Sequence, residues 1–236
     1  METNGNSYGN ILRRVSAFGG VQLFNIATGL VRGKFVAMFL GTVGMGCNAL
    51  YFSACTALQN VTGLGLNLAI VREVSGAKND EGRFADVMAV VRRLILFTAM
   101  LGAVACFLLA PLLSRWSFGN GDYTYGFMIL AVFMALSTGA AAYLSMLQGV
   151  GAVRLLTRVS VVAGLTGLLV GVPLYYFFGT RGIVPALIVV ALANFIAYYL
   201  AFRKATQVRA SRFSWKQHKG LVRGLLGLGI ILAISS

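Results

Sequence analysis

The sequence is poor in charge, and especially in acidic residues. Only 11% of its 236 residues are charged, with 6 Asp and Glu against 20 Lys and Arg, whereas 58% are hydrophobic. A soluble domain carries about 25% charged residues, so this composition favours a chain folded in a bilayer. The basic excess does not indicate nucleic-acid binding, because apolar runs of roughly 20 residues, each long enough to span a membrane, interrupt it. We therefore expect no nucleic acid among its partners.

Residue types that bind metals or perform catalysis are also scarce. Three cysteines without close spacing, Cys47, Cys55 and Cys106, and the single His218 are present. This pattern argues against a disulfide framework or a metal site. Four of the six acidic residues lie between positions 73 and 86, mixed with basic residues, which is typical of a solvated loop. We expect no cofactor and a transporter rather than an enzyme.

The sequence is rich in long apolar runs, which predict an all-α integral membrane protein. The basic start imitates a signal peptide, but the run that follows exceeds 20 residues without a cleavage site, so we interpret it as a retained span. Residues 1–202 are expected to form a six-transmembrane-helix bundle, 203–223 a basic cytoplasmic linker, and 224–236 the start of a seventh helix. The six spans are predicted at residues 17–41, 48–71, 94–113, 126–148, 159–178 and 182–202.

The basic residues are distributed unevenly among the gaps between these runs. Sixteen of the 20 lie in alternate gaps, beginning with the N-terminus and ending with the segment 203–223, whereas only Arg115 and Arg181 lie in the others. Because cytoplasmic loops are enriched in Lys and Arg, this pattern predicts a cytoplasmic N-terminus and an outward-facing aromatic loop near Asp122. The basic segment 203–223 is expected to lie on the anionic lipids of the inner leaflet.

Two cations, Arg32 and Lys34, lie within the first apolar run, where a charge is expensive and therefore points to function. On a helical wheel, Gln22, Asn25 and Gly29 share one face with Arg32. Lys34 lies roughly opposite and could extend to the nearer interface. This stripe predicts either an aqueous cleft or a buried interface. For Arg32 we favour the cleft, because packing does not ordinarily require a cation at that depth.

A second polar stripe follows on the next run. Small and amide side chains also serve as packing contacts between transmembrane helices, so helix packing remains an alternative role for the serine, the threonine and the glycines of this stripe. Its asparagines are candidate substrate contacts. The stripe consists of Ser53, Thr56, Asn60, Gly63 and Asn67, with Gln59 at its edge.

Several short glycine-rich motifs occur in a familiar order. They are LGTVGMG at 40–46, GLG at 63–65 leading to Arg72, FGNGDY at 118–123 and RFSWK at 212–216. In order and spacing the chain resembles the N-terminal half of the Wzx-type O-antigen and polysaccharide flippases, the lipopolysaccharide biosynthesis translocases. These belong to the multidrug/oligosaccharidyl-lipid/polysaccharide exporter superfamily, which also includes the multidrug and toxin extruders. Thr42 departs from this family, which often has Pro at that position of the turn.

The resemblance implies one half of a two-bundle MATE-like transporter, with residues 224–236 as the truncated start of the second bundle and with a cavity that opens alternately to either side. The implied substrate is a polyprenyl-diphosphate-linked oligosaccharide, flipped across the bacterial inner membrane. Arg32 best matches the cationic cavity typical of the family, and Lys34 is second. We expect the chain to need a C-terminal half in cis and to be inactive alone.

Two alternatives remain. One is a multidrug exporter of the same superfamily, which would prefer acidic residues in its cavity. The other is a membrane-embedded lipid-phosphate enzyme, which would need a carboxylate cluster or a His pair near the interface.

Overall fold

The computed structural model describes residues 4–63, 65–206, 224 and 227, with side chains from Leu23 onward except that of Asn25. The predicted basic linker beyond residue 206 and nearly all of 224–236 lie outside the described residues. Every described element is helical. The elements are α1 (Asn4–Gly63), α2 (Leu66–Ala77), α3 (Glu81–Leu108), α4 (Ala110–Phe118), α5 (Thr124–Val150), α6 (Val153–Phe178), a 3-10 turn (Gly179–Gly182) and α7 (Ile183–Ala205).

Four helical segments in the described residues are long and apolar enough to cross a membrane: Ile26–Gly63, Glu81–Leu108, Thr124–Val150 and Val153–Ala205. Large apolar side chains cover their outer surfaces. Leu30, Phe97 and Leu169, for example, are 71%, 62% and 73% exposed. Contiguous apolar surface of this kind is rare on soluble monomers. The chain is therefore a multi-pass membrane protein, and its described part is all helical.

Helix α1 bends at Gly41, whose φ of 66° and ψ of −173° are not helical. Arg32 and Thr56, on opposite sides of the bend, line one cavity. A straight helix would separate them by about 36 Å, so α1 folds back on itself at Gly41. We call residues 4–40 its first arm and residues 42–63 its second arm. From its glycines, the sequence predicts a six-residue turn at 41–46 between the first two spans. That length is wrong, because helical geometry resumes directly after Gly41.

Two further predictions about this region are wrong. The predicted second span, 48–71, is interrupted: the second arm ends at Gly63, and Gly65, with φ of 63°, precedes α2. The segment 72–93, between the predicted second and third spans, is predicted to be a loop from its mixed charges, but it is mostly helical, with only residues 78–80 between α2 and α3. Asp80 is the N-cap residue of α3: its carboxylate accepts hydrogen bonds from the backbone N–H groups of Gly82 and Arg83, at 3.0 and 3.1 Å. This cap allows α3 to begin well before the predicted third span.

The predicted third span, 94–113, is displaced. Helix α3 already begins at Glu81 and ends at Leu108, and Pro111 lies in the first turn of a separate helix, α4. Proline is accommodated in a first turn because the N–H it lacks would have no partner there. The last three predicted spans correspond to α5, α6 and α7, although α6 begins earlier than predicted, at Val153.

Two apolar cores hold the helices together, and α5 contributes to both. The basic-end core joins α2, α3 and α5 near the ends that carry most basic residues, and its fully buried members include Ile70, Val74, Val90, Met146 and Leu147. The aromatic-end core joins both arms of α1 to α4, α5, α6 and α7, and its buried members include Tyr51, Phe127, Leu130, Met134 and Tyr175. Residues of both cores line the polar cavities described next.

Candidate functional site

A cavity of about 440 Å³ lies inside the bundle. Both arms of α1, helix α5 and helix α7 form its walls. Its polar lining includes Arg32 from the first arm, Asn48 and Thr56 from the second arm, and Asn194 and Tyr198 from α7. We call it the Arg32 cavity.

Arg32 is partly buried and has only a neutral partner within the described residues. Its Nη2 donates a hydrogen bond to the hydroxyl of Tyr175 at 3.2 Å. Gly167 on α6 leaves room for the guanidinium, since a Cβ atom there would lie 3.7 Å from Nη1 of Arg32. The described acidic residues lie at positions 73, 80, 81, 86 and 122, and none of them lines this cavity. The positive charge is therefore uncompensated by any described carboxylate.

A second cavity, of about 370 Å³, lies where the second arm breaks before α2. We call it the amide cavity, because its polar lining consists of neutral amide and hydroxyl side chains. Among the described residues this lining comprises Gln59, Asn60, Asn67, Thr98 and Thr138. Both cavities are lined by Gln59.

Gln59 forms part of the wall between the two cavities. Its Nε2 donates hydrogen bonds to Ser137 Oγ and Thr138 Oγ1, both at 3.3 Å. These bonds tie the second arm to α5. The polar group is satisfied within the bundle, which is the usual role of an amide between transmembrane helices.

A third, shallower space of about 270 Å³, the side recess, lies between the first arm, α6 and α7. It shares Arg32, Asn194 and Tyr198 with the Arg32 cavity, and small residues such as Gly29 and Gly164 line its other wall. Small residues allow close approach of helices without filling the space between them. Arg32 is consequently bordered by open space on two sides.

The structure distributes the predicted contact residues over different places. Arg32 lines the Arg32 cavity and the side recess, whereas Asn60 and Asn67 line the amide cavity. Lys34 is exposed and lines none of these three spaces. Two predicted contacts have backbones in the first arm but side chains outside the described residues: Gln22 and Asn25.

The predicted second stripe does not face a single space. Thr56 lines the Arg32 cavity, while Asn60, Gly63 and Asn67 line the amide cavity. The break in the helix at Gly65 is one reason, because a wheel drawn through 53–67 assumes an unbroken helix.

Sequence reasoning missed Asn48 on the second arm and the contributions of the last two helices. Asn48 and Asn194 are single amides in apolar surroundings, and tyrosines such as Tyr175 and Tyr198 are common at membrane interfaces and in cores, so the sequence did not single them out. A signal was available for Asn194, which is the one amide residue between positions 182 and 202. An amide at membrane depth requires a partner or a ligand.

No group of three or more His, Cys, Asp or Glu side chains in the described residues could hold a metal ion. The acidic residues near α3 instead have local roles. Asp80 caps that helix, and Glu73 lies 3.8 Å from Arg83 in an exposed ion pair.

Comparison with known proteins gives one match. A family model described as polysaccharide biosynthesis protein matches residues 11–236, which is nearly the whole sequence. No curated protein and no solved structure matches the chain.

Proposed function

We propose that this chain, which belongs to the polysaccharide biosynthesis protein family, is a flippase for lipid-linked glycans. The proposed cargo is a polyprenyl-diphosphate-linked oligosaccharide, such as an O-antigen or another polysaccharide repeat unit, carried across the bacterial inner membrane. The observation that carries the proposal is the position of Arg32, a cation in the cavity inside the bundle for which the described residues provide no acidic partner. An intramembrane charge is costly and marks a substrate path, and an anionic cargo supplies the missing opposite charge.

The proposed architecture has six transmembrane helices. In it the two arms of α1 are the first two spans, α3 and α5 the next two, and α6 and α7, separated by the 3-10 turn, the last two. This bundle is one half of a MATE-like transporter, and a second half in cis completes the central cleft. Rocking of the halves then exposes the cargo to either side in turn, while its lipid tail stays in the bilayer.

In this mechanism the charged and neutral parts of the cargo meet different side chains. Arg32 compensates the diphosphate charge, and Lys34 contributes from the exposed face of the same arm. The sugar hydroxyls exchange hydrogen bonds with amide side chains, which are Gln22, Asn25, Asn60 and Asn67.

The alternatives are less well supported. A multidrug exporter of cationic compounds needs an acidic residue, and no described acidic residue lines the cavities. A lipid-phosphate enzyme needs a proton donor or a metal at the reacting phosphate.

The test is to replace Arg32 by Gln in the native chromosomal gene. We expect surface glycan to fall at least about tenfold at an unchanged membrane level of the protein, because Gln keeps polarity but loses a charge-assisted bond of about 1.5–3 kcal/mol. The assay is quantification of exported glycan together with an immunoblot of the membrane fraction.

Two matched controls accompany it. Lys34→Gln, two residues away on the exposed face, should reduce export less, and Arg181→Gln, in the exposed 3-10 turn, should leave it unchanged. Normal export with Arg32→Gln at native expression would overturn the proposal.

The proposed orientation places the N-terminus and the basic segment 203–223 in the cytoplasm, the latter on anionic lipids. Single cysteines at Asn79 and Asn120, both exposed, would be probed in intact cells with an impermeant maleimide, after Cys47, Cys55 and Cys106 have been replaced. Asn120→Cys should label and Asn79→Cys should not. The reverse pattern would invert the topology.

A further inference from the structure

We infer that the amide cavity selects an uncharged sugar, because Gln59 and Thr98 on its walls can only accept hydrogen bonds from a ligand. Hydroxyl and acetamido N–H groups supply the matching donors, whereas a carboxylate supplies none. The hydrogen-bonding character of this cavity stands on the geometry of the described residues. Only the identification of its ligand, as the sugar next to the diphosphate of the cargo, rests on the proposed function.

The orientation of the Gln59 amide is fixed by a neighbouring hydroxyl group. Ser137 donates its own proton to the carbonyl of Met134, at 3.2 Å, so its oxygen is left to accept. The part of Gln59 that faces it is therefore the NH₂ group, which bonds to Ser137 and Thr138 at 3.3 Å each. An amide NH₂ has two N–H groups, and both are used. The Oε1 atom of Gln59 accepts no hydrogen bond within the described residues and is not buried, so it borders open space.

Thr98 presents the same polarity from a different wall of the cavity. It lies on α3, and its hydroxyl donates to the carbonyls of Leu94 and Ile95 on its own helix, at 2.9 and 3.2 Å. A hydroxyl has one proton and two lone pairs, so only the acceptor capacity of its oxygen remains for a ligand. Gln59 on the second arm and Thr98 on α3 are thus two acceptors that a ligand must meet with donors.

The rest of the lining is neutral and suits a sugar ring. Asn60 and Asn67 are exposed amides that can donate or accept, and aliphatic side chains such as Ile70 and Ile95 cover other parts of the wall. None of the described residues that line the cavity carries a charge. Its volume of about 370 Å³ lies within the range of small-molecule sites, which is about 300–1,000 Å³.

The position of Gln59 identifies which sugar this is. Gln59 also lines the Arg32 cavity, where the proposed function places the diphosphate. A sugar held beside Gln59 in the amide cavity is then the one attached directly to the diphosphate. A carboxylate on that sugar would place its acceptor oxygens against those of Gln59 and Thr98. Unpaired polar groups of this kind are an effective means of rejecting the wrong ligand.

The experiment is calorimetric titration of the purified full chain in nanodiscs with two synthetic polyprenyl diphosphates. One lipid carries a single glucose and the other a single glucuronic acid, which differs from glucose only by a carboxylate in place of the terminal CH₂OH group. We expect the glucose lipid to bind at least about tenfold more tightly. Equal affinities, tighter binding of the glucuronic acid lipid, or no binding of either lipid would overturn the inference.

Two variants, each with a matched control, test the lining itself. Thr98→Val keeps the shape of the side chain but removes the acceptor, so the glucose lipid should bind about three- to tenfold more weakly, whereas Thr98→Ser should bind like the wild type. Asn67→Lys places a cation in the cavity and should lower the preference for the glucose lipid at least about tenfold. Asn79→Lys, the same change on an exposed turn, should preserve the preference. A preference that persists unchanged in Thr98→Val and in Asn67→Lys would overturn the inference.

The outcome is separable from that of the proposed function. Pyrophosphate, a soluble probe that carries the diphosphate without a sugar, should bind equally to the wild type and to Thr98→Val. Export that does not require Arg32 would remove the flippase role but leave the measured selectivity of the amide cavity. Equal binding of the two lipids, with export that depends on Arg32, would leave the flippase role and remove this inference.

Discussion

The Arg32 cavity and the amide cavity are neighbours inside one bundle, yet their polar groups are used differently. At the wall between them, Gln59 bonds to Ser137 and Thr138. In the amide cavity, Thr98 bonds to the Leu94 carbonyl of its own helix, at 2.9 Å. In the Arg32 cavity, by contrast, the Oδ1 atoms of Asn48 and Asn194 are buried and accept no hydrogen bond within the described residues, whereas Asn60 and Asn67 of the amide cavity are exposed.

The difference separates two kinds of polar residue in a membrane protein. A polar group that is satisfied within the bundle contributes to packing and specificity of assembly. A buried group without a partner costs about 1–3 kcal/mol and requires an explanation of its own. The sequence shows both kinds as the same residue types, so hydrogen-bond partners distinguish them where composition does not.

The largest expected effect comes from filling the space beside the Arg32 guanidinium. Gly167→Leu should lower pyrophosphate affinity at least about tenfold, because its side chain would extend beyond a Cβ that already lies 3.7 Å from Nη1 of Arg32, and a displaced guanidinium loses its charge-assisted bonds to the ligand. Gly167→Ala should bind almost normally, since the added Cβ would make ordinary contacts, at 3.7 Å to Arg32 and 3.8 Å to Val190. Titration of the purified variants measures both.

The matched change in the amide cavity is Gly63→Leu. A Cβ atom at Gly63 would have no neighbour within 4 Å, so this variant should fold and keep its pyrophosphate affinity. If Gly63→Leu weakens binding as much as Gly167→Leu does, the two cavities act as one and the comparison between them fails.

A smaller effect, of opposite sign in the two cavities, is expected on stability. Arg32→Met should raise the free energy of unfolding by about 1 kcal/mol, because it removes an uncompensated cation from membrane depth. Gln59→Leu should lower it by about 1 kcal/mol, because it removes the hydrogen bonds to Ser137 and Thr138. Denaturant titration in mixed micelles measures the two shifts, and shifts of the same sign would contradict the distinction.

The fold was predictable where a one-dimensional signal decides it. The spans at residues 126–148 and 182–202 were predicted closely, because each apolar run ends at glycine-rich or charged residues. In addition, few backbone structures satisfy all their hydrogen bonds within a bilayer. The region 41–93 was predicted poorly. Hydropathy does not show that one residue, Gly41, suffices for a reversal, that Gly65 interrupts a helix, or that Asp80 starts α3 well before the apolar run.

The candidate site was predictable only in part for a related reason. The sequence alone shows that Arg32 lies within an apolar run and shares a helix face with Gly29. In the structure, both residues line the side recess. The opposite placement of Lys34 follows from helical periodicity too. The hydrogen bond from Arg32 to Tyr175 does not follow from helical periodicity, because the two residues lie 143 positions apart in the sequence.

By itself, therefore, the sequence determined that the protein is helical and crosses a membrane several times, and that its first apolar run carries a cation. The length of an apolar run, the placement of charges and helical periodicity are local properties of the sequence. They are sufficient to predict membrane-spanning helices, because the bilayer sets the length of a span and requires its backbone to be hydrogen-bonded internally. Only the tertiary structure decided which polar groups are paired. The fold-back at Gly41 and the packing of α7 bring Asn48 and Asn194 to the cavity of Arg32, and hydrogen bonding between distant segments depends on that packing rather than on any local pattern.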